Sequence, residues 1–197
     1  MTPSEILYLA SKSPRRRELL TQIGVAFSII DVDVPEERAP DETPLDYVSR
    51  LAADKARAGS LLKPDAPVLG ADTIVVLDST VLEKPANKTQ AINMLTSLSG
   101  QTHQVMTAVS ICRGTEQKTL CSRTDVRFRT VSSAEAERYW NSGEPQDKAG
   151  GYGIQGFGGV FVEEIRGSYS AVVGLPLFET SQLLQLFRLP VWNASEK

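Results

Sequence analysis

Apolar positions along this chain switch repeatedly between a strand rhythm and a helix rhythm. "EILYLA" (residues 5–10) reads as a short buried strand. Ser13 is placed to cap a helix with Pro14 at its first position, where a missing N–H costs nothing. That helix runs through "RRRELLTQI" and should stop at Gly24 in a left-handed cap. "VAFSIIDVDV" (residues 25–34) predicts the next strand and "PEERAPDE" a polar loop. Thr43 and Asp46 form a loose capping box around Pro44 and open a long helix, "PLDYVSRLAADKARAGSLL". "PVLGADTIVVLD" is strand-like with one carboxylate in its middle, and "KTQAINMLTSLSG" is a helix closed by Gly100. "THQVMTAVSICRG" and "KTLCSRTDVRFRTV" predict paired strands, and "SSAEAERYWNSG" a helix capped by Ser132 or Ser133. A glycine-rich loop, the strand "GVFVEEI" and the helix "LPLFETSQLLQLF" follow, and the tail "NASEK" is expected to fray. Helices alternate with strands, and the hairpin adds antiparallel pairing, so the class is α/β with a mixed sheet. No internal repeat or linker divides the chain, which predicts one domain over residues 1–190 and a disordered tail over 191–197.

Composition narrows the function more than the fold. The 197 residues carry a net charge of -3, so any basic site must be local and wholesale nucleic-acid binding is excluded. No apolar run approaches the ~18 residues that a membrane span needs. The opening "MTPSEILYLASKSP" lacks a signal-peptide core, so a cytoplasmic protein is expected. Cys112 and Cys121 lack metal spacing. They would face each other if a hairpin turned near Glu116 and Gln117, but reduced thiols are the expectation. The single histidine, His103, rules out a His-rich metal site and reads as a packing or hydrogen-bonding residue.

Several residues carry possible chemistry. The turn Ser11-Lys12-Ser13-Pro14-Arg15-Arg16 joins free helix N–H groups to hydroxyls and two guanidiniums, a good phosphate site; the plainer reading is a capped helix with a solvated basic turn. Positive charge there opposes the helix dipole, so it needs a reason. Asp72 lies between apolar strand segments, where a carboxylate must be paired or metal-bound unless it marks a polar bulge. Lys55 falls inside the apolar stripe Leu45, Val48, Leu51, Ala52, Ala56 and should point inward or snorkel at its edge. Glu83 and Lys84 follow a strand, where α/β proteins gather site loops. Glu36 and Glu37 sit in a loop and either could hold a hard cation. In "GGYGIQGFGG", Gly151, Gly153 and Gly156 spell G-x-G-x-x-G, but no buried strand precedes them, so the dinucleotide fingerprint is rejected. Gln155 is the one side chain in the heart of that loop with both a donor and an acceptor for a base edge. Cations, carboxylates, hydroxyls and a glycine-rich wall together suit a nucleoside triphosphate with a divalent metal, Mg or Mn.

The set "ASKSPRRRELL", "LGADTIVVLD", "LEKP", "LSGQTHQVMTAV", "DKAGGYGIQGFGG" and "GSYSAVVGLPLFET" resembles the Maf family of nucleotide pyrophosphatases from about Tyr8 to Phe187. The resemblance implies an inosine-triphosphatase-like fold: a mixed elongated sheet flanked by helices, with two lobes around a cleft. It implies hydrolysis of a nucleoside triphosphate to the monophosphate and pyrophosphate, with Mg or Mn, in a homodimer. The family's phosphate turn matches Ser11, Arg15 and Arg16, its metal-linked glutamate Glu36, its lysines Lys55 and Lys84, and its general base Asp72. Glu36 and Asp72 are the implied metal ligands, and Glu83 is grouped with the substrate contacts. The positions tied to substrate choice read Arg15, Thr73 and Gln155, as in the dTTP/UTP pyrophosphatase subfamily. The rival readings are a 7-methyl-GTP pyrophosphatase and a non-catalytic nucleotide-binding regulator of septum formation. The intact Asp72, Lys55 and Lys84 argue against the second.

Overall fold

The computed structural model describes residues 6–192, so the expectations for Glu5 and for the tail from Asn193 onward lie outside the described residues. Seven strands and six α-helices are described: β1 Leu7–Leu9, α1 Pro14–Gln22, β2 Phe27–Ile29, α2 Pro44–Leu62, β3 Val68–Leu77, β4 Thr80–Leu82, α3 Lys88–Leu98, β5 Thr102–Arg113, β6 Glu116–Phe128, α4 Ser133–Trp140, β7 Val162–Arg166, α5 Tyr169–Val173 and α6 Leu177–Leu186. Three 3-10 turns, Glu144–Asp147, Ala149–Gly151 and Phe157–Phe161, lie between α4 and β7. The strand order is β2-β1-β3-β5-β6-β7, with β4 on β3. Pairing is parallel from β2 through β1 to β3 and antiparallel for β3–β4 and β6–β7, so the sheet is mixed.

The chain divides into two compact units. One comprises the chain up to Asp72, Thr107–Ser122 and the chain from Gly174 on; the other comprises Thr73–Met106 and Arg123–Val173. In the first, Leu7 and Leu9 of β1, Leu19 and Leu20 of α1, Val48, Leu51, Ala52 and Ala56 of α2 and Leu183 and Leu184 of α6 are buried. These positions recur at strand and helix spacing, which is why the apolar pattern located the elements. The second unit packs Val75, Leu95, Leu98, Val105, Val126, Phe128, Tyr139, Tyr152 and Phe161 into one cluster. His103 belongs there. It is buried, bonded to the Tyr152 hydroxyl at 2.8 Å and edge-on to Phe128, and burial lowers its pKa to about 4.

Three local expectations are corrected. The strand predicted over residues 25–34 is only Phe27–Ile29, because β1 offers a partner just three residues long. Ser13 occupies the N-cap of α1 without a side-chain cap bond; its own N–H is taken by the Ser11 hydroxyl at 3.2 Å. The β5–β6 turn is Gly114 and Thr115, not Glu116 and Gln117; the two cysteines are free thiols, as expected.

Candidate active site

Gly70 decides how the first unit's site is built. A β-carbon there would lie 2.5 Å from both the Ala52 carbonyl oxygen and the Ala56 nitrogen, and 3.0 Å from the Lys55 β-carbon. Only glycine lets α2 lie this close to β3. The close approach brings Lys55, on the inner face of α2, to Asp72, two residues beyond Gly70 on β3. The Lys55 ammonium donates to Asp72 Oδ1 at 2.7 Å and meets Glu36 Oε1 at 2.6 Å. The Lys55 and Asp72 side chains are 13% and 12% exposed while Glu36 is 45% exposed, so the first pair is an interior ion pair and the second a rim contact. Asp72 sits within a continuous strand and not at a turn between two strands. Lys55 does not snorkel.

Glu36 reaches Lys55 from a loop without regular structure, held from α2. The buried Tyr47 donates its hydroxyl to the Glu36 carbonyl at 2.8 Å. Arg50 donates to the Glu37 carbonyl at 2.9 Å and grips both carboxylate oxygens of Glu42 at 2.6 and 2.9 Å. A forked guanidinium makes such a grip directional. The sequence reading missed Gly70, Tyr47 and Arg50; a glycine inside the apolar run "VLGADT" was the one available signal.

The basic turn lies in the same unit. Arg16 is half-buried; it donates Nε to the Gly174 carbonyl at 2.8 Å and a terminal N–H to the Ser11 hydroxyl at 3.1 Å. Ser11 therefore accepts twice, and its own hydrogen is spent in neither bond. Desolvation, with Arg15 nearby, lowers the Arg16 pKa, while the charges of Asp72 and Glu36 oppose that shift. The guanidinium of Arg16 is thus a fixed cation within electrostatic reach of both carboxylates, not a solvated surface charge. Arg15 precedes it on α1, also half-buried.

The remaining candidates belong to the second unit. Thr73 follows Asp72 on β3, half-buried. Glu83 and Lys84 are exposed just after β4, and the Glu83 carbonyl accepts the Gly150 N–H at 3.1 Å, tying that segment to the glycine-rich loop. Gln155 is exposed in that loop. Ser11, Arg16, Glu36, Lys55 and Asp72 thus gather in one unit, and Glu83 and the Gln155 loop in the other. No group of three His, Cys, Asp or Glu side chains is gathered as a metal cage among the described residues. The oxygens of Glu36 and Asp72, meeting at one ammonium, are a hard donor pair of the kind Mg or Mn uses when phosphates supply the other ligands.

Fold and site define a class: an α/β protein with a cationic strand-to-helix turn beside a carboxylate–lysine–carboxylate group. The chain belongs to the Maf family, whose model, described as Maf-like protein, matches residues 6–187. It is 59% identical over 191 residues to a dTTP/UTP pyrophosphatase of Saccharophagus degradans, covering 95% of this chain and 91% of that one. A Vibrio parahaemolyticus protein of the same name is 56% identical, covering 95% of this chain and all of its own, and one of Pectobacterium atrosepticum is 57% identical over 92% of each chain. Among solved structures, the Staphylococcus aureus Ham1 protein aligns with 78% of each chain at 15% identity and a TM-score of 0.49.

Proposed function

We propose that this chain hydrolyses dTTP and UTP to the nucleoside monophosphate and pyrophosphate. The observation that carries the reading is Lys55, whose ammonium joins Asp72 to Glu36 in the unit that presents the Ser11–Arg16 turn. The relatives at 56–59% identity that bear the name dTTP/UTP pyrophosphatase support the choice of substrate.

In this reading Ser11, Arg15 and Arg16 bind the polyphosphate, with Lys84 as a further cation and Glu83 beside it. Asp72 accepts a proton from water as the water oxygen bonds to the α-phosphorus. The bond from that phosphorus to the bridging oxygen breaks, and its electron pair leaves on pyrophosphate. Lys55 keeps Asp72 in place and offsets charge as it develops. Glu36 and Asp72 would hold Mg or Mn, which when bound polarises phosphoryl oxygens. Thr73, Arg15 and Gln155 set the base preference. A neutral amide at Gln155 can donate to a pyrimidine carbonyl and accept from its ring N–H. A homodimer in the cytoplasm, clearing unwanted or modified pyrimidine triphosphates, belongs to the same reading.

Turnover of dTTP in heavy-oxygen water tests the reaction. The label is expected in thymidine monophosphate, with pyrophosphate unlabelled. Label in pyrophosphate would place attack on the β-phosphorus, and a nucleoside diphosphate with orthophosphate would contradict the reading outright.

A further inference from the structure

Glu144 opens the first 3-10 turn after α4, yet its carboxylate serves the glycine-rich loop. Oε1 accepts the Tyr139 hydroxyl at 2.7 Å and the Gly158 N–H at 3.1 Å, and Oε2 accepts the Phe157 N–H at 2.8 Å. The Tyr139 oxygen accepts the Gly153 N–H at 3.0 Å. Lys148 closes the arrangement by donating to the Glu144 carbonyl at 2.7 Å. Both ends of residues 153–158 are therefore tied to one carboxylate–phenol pair, with Ile154, Gln155 and Gly156 slung between them. The glycines make room for it: a β-carbon on Gly158 would lie 2.5 Å from the Tyr139 oxygen, and one on Gly156 would collide with the Glu144 carboxylate. Burial, with Glu144 beside it, pushes the Tyr139 phenol up, so it remains a donor across the working pH range.

We infer that Glu144 and Tyr139 are positioning residues for base selection, fixing residues 153–158 so that Gln155 is ordered before substrate arrives. The inference rests on the functional reading above, in which Gln155 meets the pyrimidine. A loop ordered in advance does not lose that conformational freedom on binding, so the gain belongs to affinity and to discrimination between bases. The carboxylate, with two acceptor oxygens, can take three donors at once; no neutral side chain of the same length can.

Tyr139→Phe removes the hydroxyl and keeps the ring, which stacks edge-on against Phe161 at 5.0 Å. Glu144→Gln keeps the shape and turns one acceptor into a donor facing an N–H. In each variant the KM for dTTP is expected to rise about tenfold, with kcat within about twofold, as suits one or two lost charge-assisted bonds. The preference for dTTP over dGTP should shrink, and amide exchange at Phe157 and Gly158 should quicken. Product inhibition by pyrophosphate, which reads the Ser11–Arg16 turn, should stay unchanged. Faster exchange with an unaltered KM and base preference would overturn the inference, as would pyrophosphate inhibition weakening in step with dTTP. A wild-type chain inert on dTTP, yet slow to exchange at these amides, would instead overturn the functional reading and leave the clamp as loop architecture.

Discussion

Asp72 is nearly enclosed by a strand whose neighbours Ala71 and Ile74 are buried, so its charge has to be met within the unit, and Lys55 meets it. The two partners differ in what their loss does. Asp72→Asn leaves Lys55 its contact with the half-exposed Glu36, so the fold should hold while turnover falls by roughly 10²–10⁴-fold, the range of a lost general base. Lys55→Ala takes from Asp72 the ammonium that bonds it and leaves this interior charge only the more distant field of Arg16. That variant should lose activity and also about 3 kcal/mol of stability. Adding Asp72→Asn to Lys55→Ala should return most of the stability and none of the activity. Denaturant melts of the three variants check this; a Lys55→Ala melt equal to wild type would mean that the pair contributes nothing to the fold. Lys55 was legible in the sequence because it interrupts a stripe of helical period. The contact with Glu36 was not, since an irregular loop carries no period and its shape depends on Tyr47 and Arg50, distant in the chain.

At the scale of elements, α2 and β3 form the joint that makes the site. The helix lies where the sequence placed it, Pro44–Leu62, because Thr43 caps the Asp46 N–H, Pro44 starts it and an apolar stripe, interrupted at Lys55, runs along it. What the pattern did not carry is how closely α2 approaches the strand, since that depends on one absent side chain. Gly70→Ala should push the helix backbone off β3, with a loss of about 1–3 kcal/mol, typical of overpacking. It should also lower kcat by lengthening the Lys55–Asp72 contact. Chemical denaturation and kcat measured together decide this; unchanged values of both would show that the helix yields at no cost. The five-residue α5 was missed for a related reason: it is too short to display a period. The shortness of β2 was equally hidden, because it is fixed by the length of β1 and not by β2's own residues.

For the molecule as a whole, pH should act on stability through His103. Burial lowers this imidazole's pKa from 6.5 to about 4, so between those values the unfolded chain binds a proton that the folded chain refuses. Stability is therefore undiminished by this group above about pH 6.5 and falls as the pH drops towards 4, by about 3 kcal/mol in all. His103→Gln keeps a partner for Tyr152 and removes the titration, so the difference in unfolding free energy between wild type and variant should change across that window and be flat above it. A pH-independent difference would place the proton elsewhere. The phosphate turn and Asp72 lie in one unit and the Gln155 loop in the other, on segments far apart in sequence. The motifs made each part legible, but the hydrogen bonds that hold the loop, from Glu144 and Tyr139, carried no recognisable signature. The most direct test is a side-by-side measurement of kcat/KM for dTTP, UTP, CTP, GTP, ATP and 7-methyl-GTP with wild type and Gln155→Glu. The account predicts that dTTP and UTP lead in the wild type by at least about tenfold, and that Gln155→Glu depresses those two most. A wild type that prefers 7-methyl-GTP or a purine triphosphate, or a Gln155→Glu variant with the ranking unaltered, would contradict it.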